Sequence, residues 1–329
     1  MLLFSDQPVD RVMSKVRIYN RIIASLICVL GLCSAVSAQE GLPTRGEYLA
    51  LAKQGWVYDL RGSRRRRATN APPIVFNSNE VALGEICVIG ERANQSSRDV
   101  ILRFADLLTD IYGRRLAVTF AGRNIQSCPR PSRVYLRLYS GRPPSGLLNA
   151  DLRQMDRDYD IRLPAHWREP VASPAQTNGY FGYRGAVAHL LVRQAPATNL
   201  SDVERAFYRS ILIEELFQVV SFGADVLKFD LDRPFLSKLQ EHPVNLRNFS
   251  WYSTEFMAGL LASNPQGLCS FDVMMLHALA GSGLNSVNSP ELIRFMETNF
   301  DALVRASETT ISEPSYAMLL DPNCSDLPD

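Results

Sequence analysis

One stretch of the chain, LIEELFQVVSFGAD at residues 212–225, places two adjacent glutamates and a glutamine inside an apolar run. On a helix, Glu214 and Gln218 are four residues apart and therefore adjacent, whereas Glu215 points about 100° away, among apolar neighbours. A carboxylate in such surroundings must be neutral, hydrogen-bonded or open to a cleft. Burial would raise its pKa, as is common for a general base. Glu215 is therefore a candidate catalytic base, and a structural hydrogen-bond network around the same groups is the alternative.

The elements that must position these residues can be predicted from periodicity and capping. A helix over 201–222, capped by Asn199 or Ser201, is apolar on both flanks and therefore buried. Further helices are predicted at 233–241, 251–263, 269–280 and 289–306, the last beginning at Ser289 followed by Pro290.

The half of the chain before residue 200 has a mixed pattern. Strands are predicted at 56–60, 85–90, 115–120, 133–140 and 185–194, with an amphipathic helix at 96–113 and a charged surface segment at 152–162. His189 lies in an apolar strand and is predicted to be a core residue, as is His277. The pattern predicts an α+β protein with an α/β subdomain at 74–200 and a helical subdomain at 201–329.

The N-terminus has the pattern of an export signal. A basic segment precedes the apolar run IIASLICVLGLCSAV, and small residues then predict cleavage between Ala38 and Gln39. We therefore assign 1–38 as a signal peptide, with Met13 as an alternative start, and predict a bacterial periplasmic or secreted protein. Residues 39–73 form an N-terminal helix and strand followed by a basic linker. Three interpretations of Arg64, Arg65, Arg66 and Arg67 in this linker remain open: a solvated loop, a contact for anionic lipid headgroups, glycans or an acidic partner, or a site of proteolytic clipping.

Four cysteines remain after the signal is removed, and export favours disulfides over free thiols. Of the three possible pairings, we favour Cys87–Cys128 and Cys269–Cys324, one in each half. The formal net charge of +1 gives no indication of a nucleic-acid partner. The chain has no phosphate-binding loop, no nucleophile elbow and no histidine pair with metal-ligand spacing.

Glu-Glu-x-x-Gln resembles the His-Glu-x-x-His zinc helix of zincin metallopeptidases, in which two histidines hold zinc and the glutamate activates water. The resemblance places Glu214 and Gln218 at the two histidine positions and Glu215 at the base position. Ser221 takes the position of a glycine, and Ala224 that of a third histidine, with Asp225 beside it.

The chain also resembles the bacterial domain-of-unknown-function family 2927, through residues 214–225 and the stretch FDVMMLHALAG with the turn after it, 271–283. The resemblance implies a zincin-like fold with a strand–helix–strand lobe, a mixed sheet and a C-terminal helical lobe. It implies a degenerate metal site at Glu214, Gln218 and Asp225, and no particular reaction.

Three functional hypotheses follow. The first is a non-catalytic, pseudoprotease-like binding protein without zinc, whose partner is a protein, peptide or glycan of the cell envelope, because glutamate, glutamine and alanine replace nitrogen ligands. The second is a hydrolase of peptides or glycans, with Glu215 as base. It would use either a divalent cation held by oxygen ligands or no metal, in which case a partner carboxylate such as Asp272 or Glu255 is required. The third is an envelope-associated protein that contacts an anionic surface through residues 61–67.

Overall fold

The computed structural model of the protein describes residues 43–58, 75–130, 132–196 and 199–327. The predicted signal peptide, its cleavage between Ala38 and Gln39, and the arginine run Arg64–Arg67 lie outside the described residues. Each of these therefore stays a prediction. In the described parts of the chain, no helix combines the length and the apolar character that crossing a membrane requires.

The elements follow the chain in the order helix–helix–strand–helix–strand–strand–helix–strand–strand and then, apart from two very short strands, helices. The helices are α1 Arg45–Trp56, α2 Ser78–Ala82, α3 Gln95–Tyr112, α4 Ser145–Tyr159, α5 Asp202–Ser221, α6 Thr254–Ser263, α7 Ser270–Gly281 and α8 Pro290–Ile311. The strands are β1 Glu85–Gly90, β2 Val118–Gly122, β3 Ser132–Tyr139, β4 Ala175–Gly182, β5 Gly185–Arg193, β6 Val226–Leu227 and β7 Gln240–Glu241. Two short 3₁₀ turns lie at Ile125–Ser127 and Pro314–Leu319.

Five strands form a mixed sheet in the order β2-β1-β3-β5-β4. The first four strands in this order are parallel, with Tyr135 opposite His189 as one register point between β3 and β5. Strand β4 pairs with β5 in the antiparallel direction through a tight hairpin, in which Gly182 lies opposite Gly185. The predicted α+β class with a mixed sheet is therefore confirmed.

The sheet separates two layers of apolar side chains because successive residues of a strand point to opposite faces. On β3, Val134, Leu136 and Leu138 pack into the large core with α5. Tyr135 and Tyr139 face the smaller core with α4. Residues of both predicted subdomains, 74–200 and 201–329, contribute to the large core, and the described residues belong to the single unit Leu42–Asp329.

In the first half of the chain, three local predictions differ from the structure and one strand was not predicted. No strand runs through 56–58, since Trp56 ends α1, and 152–162 is mainly the buried end of α4 rather than a surface segment. The strand predicted at 115–120 is displaced to β2, and β4 was not predicted.

The helix predicted at 233–241 is absent. Its place is taken by an irregular segment that leads into β7. The backbone N–H of Lys238 donates to the Asp272 side chain at 2.7 Å, and that of Leu239 donates to the Ser237 hydroxyl at 3.1 Å. These N–H groups are thus satisfied by side chains instead of by a helical ladder.

Both favoured disulfides are present. Cys87 pairs with Cys128 across 5.8 Å between their Cα atoms, and Cys269 pairs with Cys324 across 5.5 Å. Two disulfides are typical of proteins from oxidising compartments and support a non-cytosolic location.

Candidate functional site

The motif helix is α5, and its limits follow from its caps. Ser201 and Glu204 form a reciprocal capping box at the start. At the end, Phe222 adopts a left-handed conformation with φ 54°. Its ring stacks on Phe76 at 5.3 Å and contacts Phe181, and these contacts hold an unfavourable backbone conformation for a residue with a side chain. The predicted helix over 201–222 is confirmed.

Glu214, the first ligand position of the frame, has a charged partner inside the protein. Its Oε2 lies 2.9 Å from Nζ of Lys238 and also accepts a 2.9 Å hydrogen bond from Nδ2 of Asn264. The Lys238 side chain is fully buried, and its ammonium donates further to Oγ of Ser210 at 3.0 Å and to the carbonyl of Pro265 at 2.5 Å. Each of the three ammonium protons thus has an acceptor.

Lys238 reaches this place because Asp272 holds its backbone. The fully buried Asp272 carboxylate accepts from Oγ of Ser237 and from the backbone N–H groups of Lys238 and Cys269, each of these N–H bonds being 2.7 Å. Burial raises the pKa of Asp272 to about 7, although the hydrogen bonds oppose the rise. Asp272, in the downstream stretch, therefore positions the lysine that pairs with Glu214.

Glu215, the base position, lies beneath strand β4. Only 7% of the residue is exposed, and Oγ1 of Thr177 donates a 2.5 Å hydrogen bond to its Oε2. Burial is the main cause that raises the pKa of Glu215 to about 8, and the charges of Glu214 and Asp225 raise it further. At neutral pH the carboxyl is consequently mainly protonated.

Gln218, the second ligand position, donates from Nε2 to Oδ1 of Asp225. Burial, followed by the charges of Glu214 and Glu241, raises the pKa of Asp225 to about 7. Asp225 nevertheless keeps an exposed surface.

The turn after the helix docks α5 onto α1. Nε1 of Trp56 donates to the Ser221 carbonyl at 3.0 Å, and the Ala224 N–H donates to the Gly55 carbonyl at 2.8 Å. Gly223 packs closely against Leu239, since a Cβ added at Gly223 would be 2.3 Å from Cδ1 of Leu239. Ser221 and Ala224, at the positions where metzincins carry a glycine and a third histidine, therefore join α5 to α1 through their backbone groups.

The structure brings four predicted site residues into one charged track and adds residues that the sequence did not indicate. The predicted members are Glu214, Glu215, Gln218 and Asp225, and the added members are Thr177, Lys238, Glu241 and Asn264. These additions lie far away in the chain, so no spacing rule could have found them. Among the described residues, no three histidine, cysteine, aspartate or glutamate side chains are grouped so that they could hold a metal ion.

The two histidines predicted as core residues bond to groups outside the charged track. His189 is fully buried and its Nε2 lies 3.0 Å from Oδ2 of Asp151, which is also paired with Arg137. His277 contacts Thr310 through Nε2 at 2.9 Å, and burial lowers its pKa.

No family model, no curated protein and no solved structure matches this chain. Its function therefore has to follow from the chemistry of the charged track and of the surfaces around it.

Proposed function

We propose that this chain is an exported, zincin-like protein without catalytic activity, which serves as a binding protein in the cell envelope. One observation supports this most directly: every position of the degenerate zinc frame is engaged by a partner inside the protein. Glu214 pairs with Lys238, Gln218 with Asp225, and Glu215 with Thr177. A metallopeptidase needs the opposite, namely ligands free to hold a metal and a base that reaches its substrate.

The buried ammonium replaces a metal ion as the positive charge in this region. The Lys238 ammonium contacts Glu214 and Ser210, and Ser210 lies one helical turn before Glu214. Gln218 lies one turn after Glu214, so the ammonium is not between the two ligand positions. It stabilises the Glu214 carboxylate, and its charge lowers the pKa values of Glu215, Asp225 and Glu241 against the larger effect of burial. The track therefore has the properties of a folded polar network with its own internal cation.

The zincin-like interpretation is supported by the arrangement around the motif helix. Helix α5 follows the last parallel strand of the sheet, and the antiparallel edge strand β4 lies over its glutamates. The aspartate-bearing helix α7 comes later and reaches the same region through Lys238. These features match the order of elements that the sequence resemblance implies.

Strand β4 also indicates the class of partner. It is the terminal strand of the sheet, so its outer edge has no neighbouring strand among the described residues. An exposed strand edge can accept an extended peptide through main-chain hydrogen bonds. We therefore propose a peptide segment of an envelope protein as the partner, bound along β4.

The experiment is metal analysis and a hydrolysis assay on the mature protein with both disulfides formed, incubated with Zn²⁺, Mn²⁺ or Ca²⁺ and then desalted. We expect metal well below one ion per chain, and no hydrolysis of casein or of peptidoglycan fragments. Glu215→Gln is compared with Glu308→Gln, the same change at an exposed position of α8. One bound ion per chain, or a hydrolysis that only Glu215→Gln abolishes, would refute the proposal.

The peptide mode has its own test. Peptides selected from a random display library on the mature protein should lose binding when their backbone nitrogens are methylated, because strand addition depends on main-chain donors. Peptide binding that survives N-methylation would reject strand addition. The same conclusion would follow if no peptide were selected and the protein bound only glycans on a separate glycan array.

A hydrolase is the second candidate, and the environment of Glu215 favours it. A carboxyl with a pKa of about 8 beneath an edge strand has the tuning of an acid–base catalyst. Glu214, Gln218 and Asp225 would then provide oxygen ligands for a divalent cation, or the neutral Glu215 would act as an acid. The hydrolysis assay above distinguishes this candidate from the binding protein.

A further inference from the structure

A second polar site lies apart from the glutamate track. A cavity of about 580 Å³ opens at the amino-terminal ends of β1 and β3, and none of its lining residues belongs to the track. This volume is within the range of about 300–1,000 Å³ that is usual for small-ligand sites. Its lining carries three arginines and two glutamates, Arg114, Arg115, Arg133, Glu80 and Glu85.

Arg133 is held in place although no carboxylate pairs with it within the described ranges. Its Nη1 donates to the carbonyls of Arg184 and Ala186, at 3.0 and 3.1 Å, and its guanidinium lies 5.4 Å from the centre of the Tyr159 ring. Gly84 makes room for the arginine stem, since a Cβ there would be 2.4 Å from Cγ of Arg133. Such a guanidinium is already oriented, and its charge remains available to an anion.

The two glutamates are likewise bound only to neutral groups. Oε2 of Glu80 accepts from the Ala186 N–H at 3.1 Å, and Oε1 of Glu85 accepts from the Thr119 hydroxyl. Neither glutamate therefore has a cationic partner among the described residues.

We infer that this cavity binds a short acidic peptide with a free amino group. Arginines and glutamates line one cavity without an ion pair between them in the described part of the chain, so the best complement is a ligand with both charges. Ligand carboxylates would meet the arginines, and an ammonium would meet the two glutamates. Because arginines outnumber glutamates, the complementary ligand has more carboxylates than ammonium groups. This site is independent of the proposed function of the glutamate track.

Calorimetric titration of the mature protein with triglutamate tests this inference. Two matched ligands separate the charges: N-acetyl-triglutamate lacks the ammonium, and trialanine lacks the side-chain carboxylates. We expect triglutamate to bind at least about tenfold more tightly than either, since each removes charge-assisted hydrogen bonds.

Two variants distinguish the effect of the Arg133 charge from the effect of its position. Arg133→Met removes one cation, and Gly84→Ala keeps every charge but displaces the Arg133 stem. Both should weaken triglutamate binding by about tenfold or more. Arg103→Met changes a partly exposed arginine of α3 outside the cavity. It is the control and should bind as the unmodified protein does. Thermal melting checks folding, and if Gly84→Ala does not fold, Arg133→Met alone decides.

Three outcomes would overturn the inference. Equal affinity for triglutamate and its N-acetyl form would show a site for anions only. Equal affinity of the Arg133→Met and Arg103→Met variants would place binding elsewhere. Absence of binding by all three peptides would show that the cavity takes no ligand of this class.

Discussion

The pH dependence of stability offers a direct test of the buried Glu215. In the folded protein burial raises the pKa of this carboxyl from its ordinary 4.5 to about 8. Between these two values the native state keeps a proton that the unfolded state has released. Stability therefore falls as pH rises through this window, and it levels off above the folded pKa.

The size of the effect follows from the pKa change. Each pH unit within the window corresponds to about 1.4 kcal/mol, so the whole window amounts to about 5 kcal/mol for a residue that is only 7% exposed. Glu215→Gln cannot ionise and retains an oxygen that accepts from Thr177. The variant should therefore gain about 3 kcal/mol relative to the unmodified protein between about pH 5.5 and about pH 7.5.

Urea unfolding followed by tryptophan fluorescence measures this difference. Trp56 is buried and donates to the carbonyl of Ser221 at the end of α5, so its emission reports on the motif helix. Glu308→Gln serves as the control, because the same change at an exposed position should leave the pH dependence unaltered. Taking the difference between each variant and the unmodified protein cancels the contributions of other carboxyls, such as Asp272, to first order.

A difference that stays constant with pH would refute the reasoning. It would show that Glu215 ionises with an ordinary pKa in the folded protein and is therefore hydrated. A hydrated Glu215 would also mean that water reaches the base position past strand β4, which favours the hydrolase.

Three further predictions concern the scaffold. Asp151→Ala leaves the buried guanidinium of Arg137 without its carboxylate and should cost about 3–5 kcal/mol in urea unfolding. Replacing Cys269 and Cys324 together by serine removes a cross-link between residues 55 apart, and should cost about 2–5 kcal/mol; dithiothreitol should then lower the melting temperature of this variant less than that of the unmodified protein. Gly182→Ala places a Cβ 2.0 Å from a backbone oxygen of α4, so it should lower the melting temperature far more than an alanine at the open Gly146 of the same helix.

Local signals were sufficient for much of the fold. The capping box at Ser201, the apolar flanks of α5 and the Ser289–Pro290 start of α8 all act within a few residues, and the structure contains each of them. The helix prediction for 233–241 was wrong because contacts that are not local determine that segment. Its apolar residues suggested a helix, but its backbone donors are taken by Asp272 and Ser237.

The edge strand β4 shows the same limit. Its sequence AQTNGYFG has two glycines and several polar residues, which weaken any strand prediction. Pairing with β5 along its whole length determines its conformation. Tertiary contact overrides such weak local preferences.

The sequence by itself determined the α+β class, the motif helix with its adjacent glutamates, and the cysteines available for pairing. Only the tertiary structure decided what those glutamates contact. Lys238 and Asn264 meet Glu214 from positions 24 and 50 residues further along the chain, and Thr177 meets Glu215 from 38 residues before it. Periodicity and capping report interactions within one or two helical turns, whereas the ionisation of a buried carboxyl depends on whichever groups folding brings within a few ångströms.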